Sequence, residues 1–398
     1  MFIKNLKKLT LAALVISFMI PAGVSSANVE NVSRIAGEDR IATSIEISKS
    51  MFNESDNVVL ASGYNFADAL SAGQLAAALN APLILSNDQL DSRTSDEIAK
   101  LKPKNIYIVG GETALSSNIE ESVKSVVNDI NIERLKGNNR YETSVKVMEK
   151  TKEFVDAEYL LIASGKNFPD ALSATSFMAD HKALMVLSDG NSYPKSDLKE
   201  IAIGGVNQLP LNGFTGERIA GNDRYQTALA IARRSFENNE SAILANSKVF
   251  ADSLSAVSVA KNYKAPIILT DNENLTQSTK SYLENMNSIT IIGGEKSVSS
   301  NIFSNPTAEE VNEMKRIENE RKAREEQAKK EASKPTKPKY IYQDGYGPVG
   351  EGRIKGNMNS MIYHLPGQRD YNKIKPSHIR YFRTEKEARA AGFRRALR

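Results

Sequence analysis

Arg40, Arg140 and Arg224 close three copies of one segment, RIAGEDR from Arg34, RLKGNNR from Arg134 and RIAGNDR from Arg218. A guanidinium is a planar fork of N–H donors that pairs with phosphate or carboxylate. Each arginine also stands at an expected helix start, where free backbone N–H groups favour an anion. The architectural alternative is an intramolecular ion pair with Asp68, Asp170 or Asp252. Those aspartates recur within FADAL, FPDAL and FADSL. They suit orienting a sugar hydroxyl or the arginine, but a first-turn helix carboxylate is the preferred reading. Phe66, Phe168 and Phe250, beside them, are read as staples against the following helix, with sugar stacking as the alternative.

The residues needed for catalysis do not recur in the same way. Of three histidines, His181, His364 and His378, only His181 falls among the repeats, and its sibling positions hold no histidine. Glu38-Asp39 becomes Asn138-Asn139 in the second copy, which removes a repeated acid–base pair. No GxSxG surrounds Ser62 or Ser164, and no GxGxxG or GxxxxGK[ST] occurs. The glycine pairs Gly110-Gly111, Gly204-Gly205 and Gly293-Gly294 therefore read as tight turns at strand ends. With no cysteine there is no thiolate nucleophile, disulfide or cysteine metal site. The expectation is anion recognition with no catalytic residue, cofactor or metal.

The elements that position these residues repeat too. The segments from Arg34, Arg134 and Arg218 are followed by LASGYNFADALSA, IASGKNFPDALSA and LANSKVFADSLSA, then by APLILS, ALMVLS and APIILT, and then by the glycine pairs. Ile41, Ile45, Ser48 and Phe52 have helical spacing behind Asp39 as a cap. Val58 to Ala61 predicts a strand, and Leu70, Leu75 and Leu79 share one face of a helix beginning near Asp68. Leu83 to Leu85 and Ile106 to Val109 are short continuous apolar runs, as buried parallel strands are. Alternating helices and strands imply a layered α/β sheet in each copy. The middle copy is shortened, which predicts a helix lost or reduced.

The expected organisation is a leader at 1–27, repeat units at 28–133, 134–217 and 218–302, a charged linker at 303–339 and a small domain at 340–398. Lys4, Lys7 and Lys8, then the apolar run from Leu9 to Ile20 with Ser25 and Ala27, read as an export signal, leaving no membrane span after cleavage. The net charge of +4 divides unevenly: residues 28–302 hold 27 Lys+Arg and 35 Asp+Glu, and residues 303–398 hold 22 and 13. An acidic body gives no broad footprint for nucleic acid, so an anionic partner must meet local arginines. Pro306 to Ser333 reads as a solvated helical spacer in which Val311, Met314 and Ile317 form only a brief seam. KPTKPK then makes a stiff hinge. The last segment carries twelve Lys+Arg against five Asp+Glu over residues 340–398. Tyr363, Tyr371, Tyr381 and Phe382 are interleaved with that charge, a pattern that admits nucleic acid, teichoic acid or anionic lipid. His364 reads as a hydrogen-bonded structural histidine rather than a metal ligand.

On the motifs quoted, residues 34 to 302 resemble the cell wall binding repeat 2 family. The resemblance implies three tandem flavodoxin- or Toprim-like α/β units in a pseudo-threefold arrangement. It also implies non-covalent attachment of a secreted protein to a Gram-positive wall through an anionic secondary polysaccharide. The family's polymer-binding triplet falls on Leu83-Ile84-Leu85 and Ile267-Ile268-Leu269, while the middle copy has Met185-Val186-Leu187. Two full-strength sites, on the first and third repeats, are expected. The tail is similar to the sunset domain through Gly356-Asn357, Tyr363-His364, Pro366-Gly367, Tyr381-Phe382 and Ala391-Gly392-Phe393-Arg394-Arg395. The competing functions are a wall-active hydrolase or nuclease with its chemistry in the tail, and an extracellular DNA binder.

Overall fold

The computed structural model describes residues 31–332, 341–342, 348–349 and 354–397. The expected leader and the Pro-Lys hinge lie outside the described residues. The chain divides into two compact units, a body ending at Glu313 and a tail starting at Met314.

The body opens with β1 (Asn31–Ile35), after which the Asp39 carboxylate accepts the Ala42 N–H at 2.8 Å. That cap starts α1 (Arg40–Met51), whose Ile41, Ile45 and Ser48 are buried as the spacing requires. Then follow β2 (Asn57–Ser62), α2 (Phe66–Leu79), β3 (Leu83–Ser86), α3 (Ser92–Leu101), β4 (Asn105–Val109), α4 (Asn118–Val126) and β5 (Asn131–Leu135). The second stretch is α5 (Arg140–Thr151), β6 (Tyr159–Ser164), α6 (Pro169–Asp180), β7 (Ala183–Ser188), β8 (Lys199–Ile203) and β9 (Glu217–Ile219). The third is α7 (Arg224–Ala232), β10 (Ser241–Asn246), α8 (Ala256–Tyr263), β11 (Ile267–Thr270), α9 (Gln277–Leu283) and β12 (Ser288–Ile292). The shortened middle copy has lost the helix that α3 and α9 supply to its siblings.

Three four-stranded parallel sheets result, in the orders β3-β2-β4-β5, β7-β6-β8-β9 and β11-β10-β12-β1. The repeat frame and the structural frame differ. The strand that opens each sequence repeat completes the sheet of the preceding unit, so β1 closes the third sheet. The body is a ring.

α2, α6 and α8 pack against one another in pairs at its centre. Equivalent residues meet there: the Phe66, Phe168 and Phe250 ring centroids lie 5.7–6.3 Å apart. About two turns further along, Gly73 faces Thr175 and Val257. This common axis explains why α2 is buried nearly all round, from Ala67 to Ala77, rather than along one face. The expected single stripe through Leu70, Leu75 and Leu79 is only part of that buried surface, and Leu79 itself is half-buried.

The edge strands β7 and β11 are also covered by the preceding unit's central helix. Gln74 of α2 both accepts from the Met185 N–H and donates to the Met185 carbonyl, each at 2.9 Å. The Ile267 N–H donates to Ser176 at 2.7 Å. Neighbouring units thereby satisfy backbone groups that an open edge would leave exposed.

After the body's last turn, α10 (Ala308–Ala332) confirms the expected charged helix, laced by pairs such as Arg316–Glu320 and Arg321–Glu325. The tail contains the short pair β13 (Ile341–Tyr342) and β14 (Pro348–Val349). It also has a four-stranded sheet in the order β17-β15-β16-β18, from β15 (Ile354–Asn357), β16 (Ile362–His364), β17 (Ile379–Phe382) and β18 (Arg394–Arg395). α11 (Glu385–Ala390) belongs to the same small fold. Tyr363 and Phe382 lie in its core with Ile354 and Phe393, which corrects the expectation that all four tail aromatics are available for stacking. The Tyr363 hydroxyl donates to buried Glu385 at 2.5 Å. His364 is buried, and its Nδ1 has no hydrogen-bond partner, so the expected hydrogen-bonded role fails at that nitrogen.

Candidate functional site at the seams between units

Each repeated segment from arginine to arginine crosses a seam. The first arginine sits on the last strand of one sheet and donates to the first glycine of that unit's pair. Arg34 reaches the Gly293 carbonyl at 2.6 Å, Arg134 the Gly110 carbonyl at 3.0 Å and Arg218 the Gly204 carbonyl at 2.6 Å. The second opens the helix covering the next sheet and donates to a carbonyl just beyond that sheet's first strand. Arg40 reaches Gly63, Arg140 reaches Gly165 and Arg224 reaches Ser247, each at 2.7 Å. One guanidinium edge is thus committed in every copy.

The recurring aspartates lie across the same seams. Asp68 is buried near the start of α2, takes a hydrogen bond from Asn65 at 2.7 Å, and faces Arg140 of the next unit. Asp170 faces Arg224 in the same way. Burial pushes both carboxyls up to about 6, against the opposing pull of the arginine beside each. Asp252 closes the ring by accepting from Thr43 of the first unit at 3.0 Å.

These carboxylates explain the first glycine of each pair, while a Cβ at the second would meet nothing within 4 Å. At Gly110, Gly204 and Gly293 φ is 101–119°, and an added Cβ would stand 2.4–2.9 Å from the Oδ2 of Asp68, Asp170 or Asp252. Only glycine takes that backbone conformation and leaves the acid its place.

Open space lies along the seams at the carboxyl ends of the strands, where parallel sheets bind ligands. A cleft of about 550 Å³ between the second and third units is lined by Asn167, Asp170, Gln208, Asn222 and Arg224. Its counterpart between the first and second, about 290 Å³, is lined by Asn65, Asp68, Asn138, Asn139 and Arg140. It adjoins a crevice of about 750 Å³ lined by Ser62, Tyr64, Asn87, Asp88 and Gln89. Side-chain amides carry donors and acceptors together, as sugar hydroxyls do. Among the described residues no group of three or more His, Asp and Glu is placed to hold a metal.

Residues 34–120, 134–212 and 218–303 match the family model for cell wall binding domain 2. The chain belongs to the cell wall binding domain 2 family. As such its body is a wall-binding module. Residues 333–395 match the family model described as ArfC.

The chain is similar to the N-acetylmuramoyl-L-alanine amidase LytC of Bacillus subtilis (strain 168), 28% identical over 313 residues, covering 75% of this chain and 62% of that protein. The amidase enhancer of the same organism is 29% identical over 269 residues, 65% of this chain and 37% of that protein. Among solved structures, Cwp6 from Clostridium difficile has a TM-score of 0.62 at 26% identity, over 69% of this chain and 47% of that one. Cwp8 from the same organism, at 24% identity and TM-score 0.60, supports the fold. The chain spans less than two thirds of the length of each of these relatives.

Within the wall-binding body the expected site residues part company. Arg40, Arg140 and Arg224 reach the seams, with Asp68, Asp170 and Asp252 behind them. Leu83, Ile84, Leu85, Ile267, Ile268 and Leu269 are 0–1% exposed, in strands β3 and β11. Direct contact with a polymer is closed to these six side chains in this packing; they hold the edges that meet the neighbouring unit. The two clefts described here are both lined partly by the middle copy. The first arginines of the segments and the amides Asn138, Asn139, Asn167 and Gln208 were missed. The repeated R-x-x-G spacing was the signal for the former.

Proposed function

We propose that the body attaches its carrier non-covalently to the cell wall by holding an anionic secondary polysaccharide at the seams between units, and that it does so without catalysing a reaction. The observation that carries this reading is the repeated pairing of a seam arginine, one edge of its guanidinium committed to a carbonyl, with an amide-lined cleft. Arginine supplies charge recognition and the amides suit sugar hydroxyls. Secretion to the cell surface follows from the same role. No described helix is long and apolar enough to cross a membrane.

For the tail we retain the sunset-like reading beside the ArfC match, with a polyanion such as nucleic acid or teichoic acid as its ligand, supported by its excess of Lys+Arg. The test is co-sedimentation of the full chain with purified Gram-positive walls before and after the secondary polysaccharide is extracted. Pelleting with intact walls and release from extracted walls is expected. Equal pelleting with both would sink the reading.

A further inference from the structure

The three seam arginines are about a hundred residues apart in sequence, yet folding sets two of them against one phenylalanine cluster. The Arg40 guanidinium carbon lies 5.5 Å from the centre of the Phe250 ring, in the third unit, and 4.6 Å from that of Tyr64. Arg140 lies 5.3 Å from the centre of the Phe66 ring, in the first unit. Phe66, Phe168 and Phe250 are in mutual contact on the common axis of α2, α6 and α8. Arg224 occupies the third equivalent place and is exposed.

Tyr64 is 64% exposed at the rim, and its counterparts in the other units are Lys166, also exposed, and Lys248. Of the acids next in sequence, Asp39 is held by the Ala42 N–H and Arg93, and Asp223 by the Gln226 N–H, while buried Asp68 and Asp170 stay behind Arg140 and Arg224. The axis therefore ends at the phenylalanine cluster, with Arg40 and Arg140 beside its rings and one carbonyl bond holding each of the three arginines.

We propose that the three repeats build one axial site, at which a single anionic glycan segment is held by all three arginines over the phenylalanine cluster, so that one body takes one segment. The proposal rests on the wall-polysaccharide reading and narrows it from separate seam sites to a composite one. Three arginines on one rigid frame act at high effective concentration on a shared ligand. Phe66 and Phe250 are half-buried and keep some apolar surface beside the arginines, whereas Phe168 is buried.

The experiment is calorimetric titration of the full chain with a short, size-fractionated oligosaccharide released from the walls it sediments with. One oligosaccharide per chain is expected. Arg40→Lys, Arg140→Lys and Arg224→Lys should each weaken affinity by about tenfold, the loss of roughly one charge-assisted fork, with the stoichiometry unchanged. Tyr64→Ala, at an exposed position where folding is not at stake, should weaken affinity at an unaltered melting temperature. Competition by glycerol phosphate against pyruvate then tells a phosphate-bearing glycan from a carboxylate-bearing one. Three oligosaccharides per chain, or single substitutions that remove one third of the sites and leave the remaining affinity intact, would overturn the axial site. Absence of any heat with the unaltered chain, together with absent wall binding, would overturn the wall reading itself and the axial site with it.

Discussion

Asp68 and Asp170 make the seams sensitive to acid in a direction opposite to that of most carboxylates. Their folded pKa of about 6 stands above the ordinary value of 3.8, chiefly because burial penalises the charged form. Above pH 6 both states are ionised and the folded one bears the desolvation cost. As the pH falls from 6 towards 4, the folded state takes up protons that the unfolded state does not, so stability rises. The gain is on the order of 2–3 kcal/mol per residue at most. Asp68→Asn should remove its share of that rise, read as a urea midpoint that changes less between pH 7 and pH 4.5 than in the unaltered chain. An undiminished rise in the variant would place its source elsewhere. At this scale the arginines and aspartates were legible because three copies mark them. Their pairing across units was not, since Asp68 and Arg140 belong to different sequence repeats.

The third unit departs from its siblings at the start of its central helix. Asn65 accepts the Ala67 N–H at the start of α2, whereas the third unit has Val249 at that place. In the third unit the first turns are irregular, and α8 begins only at Ala256, with no side-chain cap at Ser255; α6, also without a side-chain cap, has Pro169 at its first position. The Ser253 and Ser255 hydroxyls are left buried without partners, whereas the equivalent Ser71 donates to the Ala67 carbonyl at 2.9 Å. Val249→Asn should stabilise the body by about 0.5–1 kcal/mol. It should also raise amide-exchange protection over residues 250–256; unchanged protection would mean that another constraint holds this segment open. Helix starts, the lost helix of the middle copy and the short apolar strands were readable from local pattern. The burial of α2 on every side was not, because the residues that cover it come from the other two units.

At the scale of the whole molecule the ring depends on its closing strand. β1 pairs with β12 along Asn31 to Ile35, and Arg34 adds the bond to Gly293. Deleting residues 31–36 should leave the β12 edge open, with lower exchange protection in β10 and β12 and concentration-dependent association. Full protection in the deleted chain would show that the strand is dispensable. The amino-acid sequence by itself determined the number of units, their α/β class, the charged helix and the recurring anion-recognising residues, because periodicity and motif repetition are local or self-referential signals. Only the tertiary structure decided two further points: that each repeat lends its first strand to the unit before it, and that the aliphatic triplets are buried within their strands. Those outcomes depend on which surfaces of one unit satisfy the exposed edges and buried charges of the next. Such complementarity is a property of packed surfaces and leaves no period in the chain.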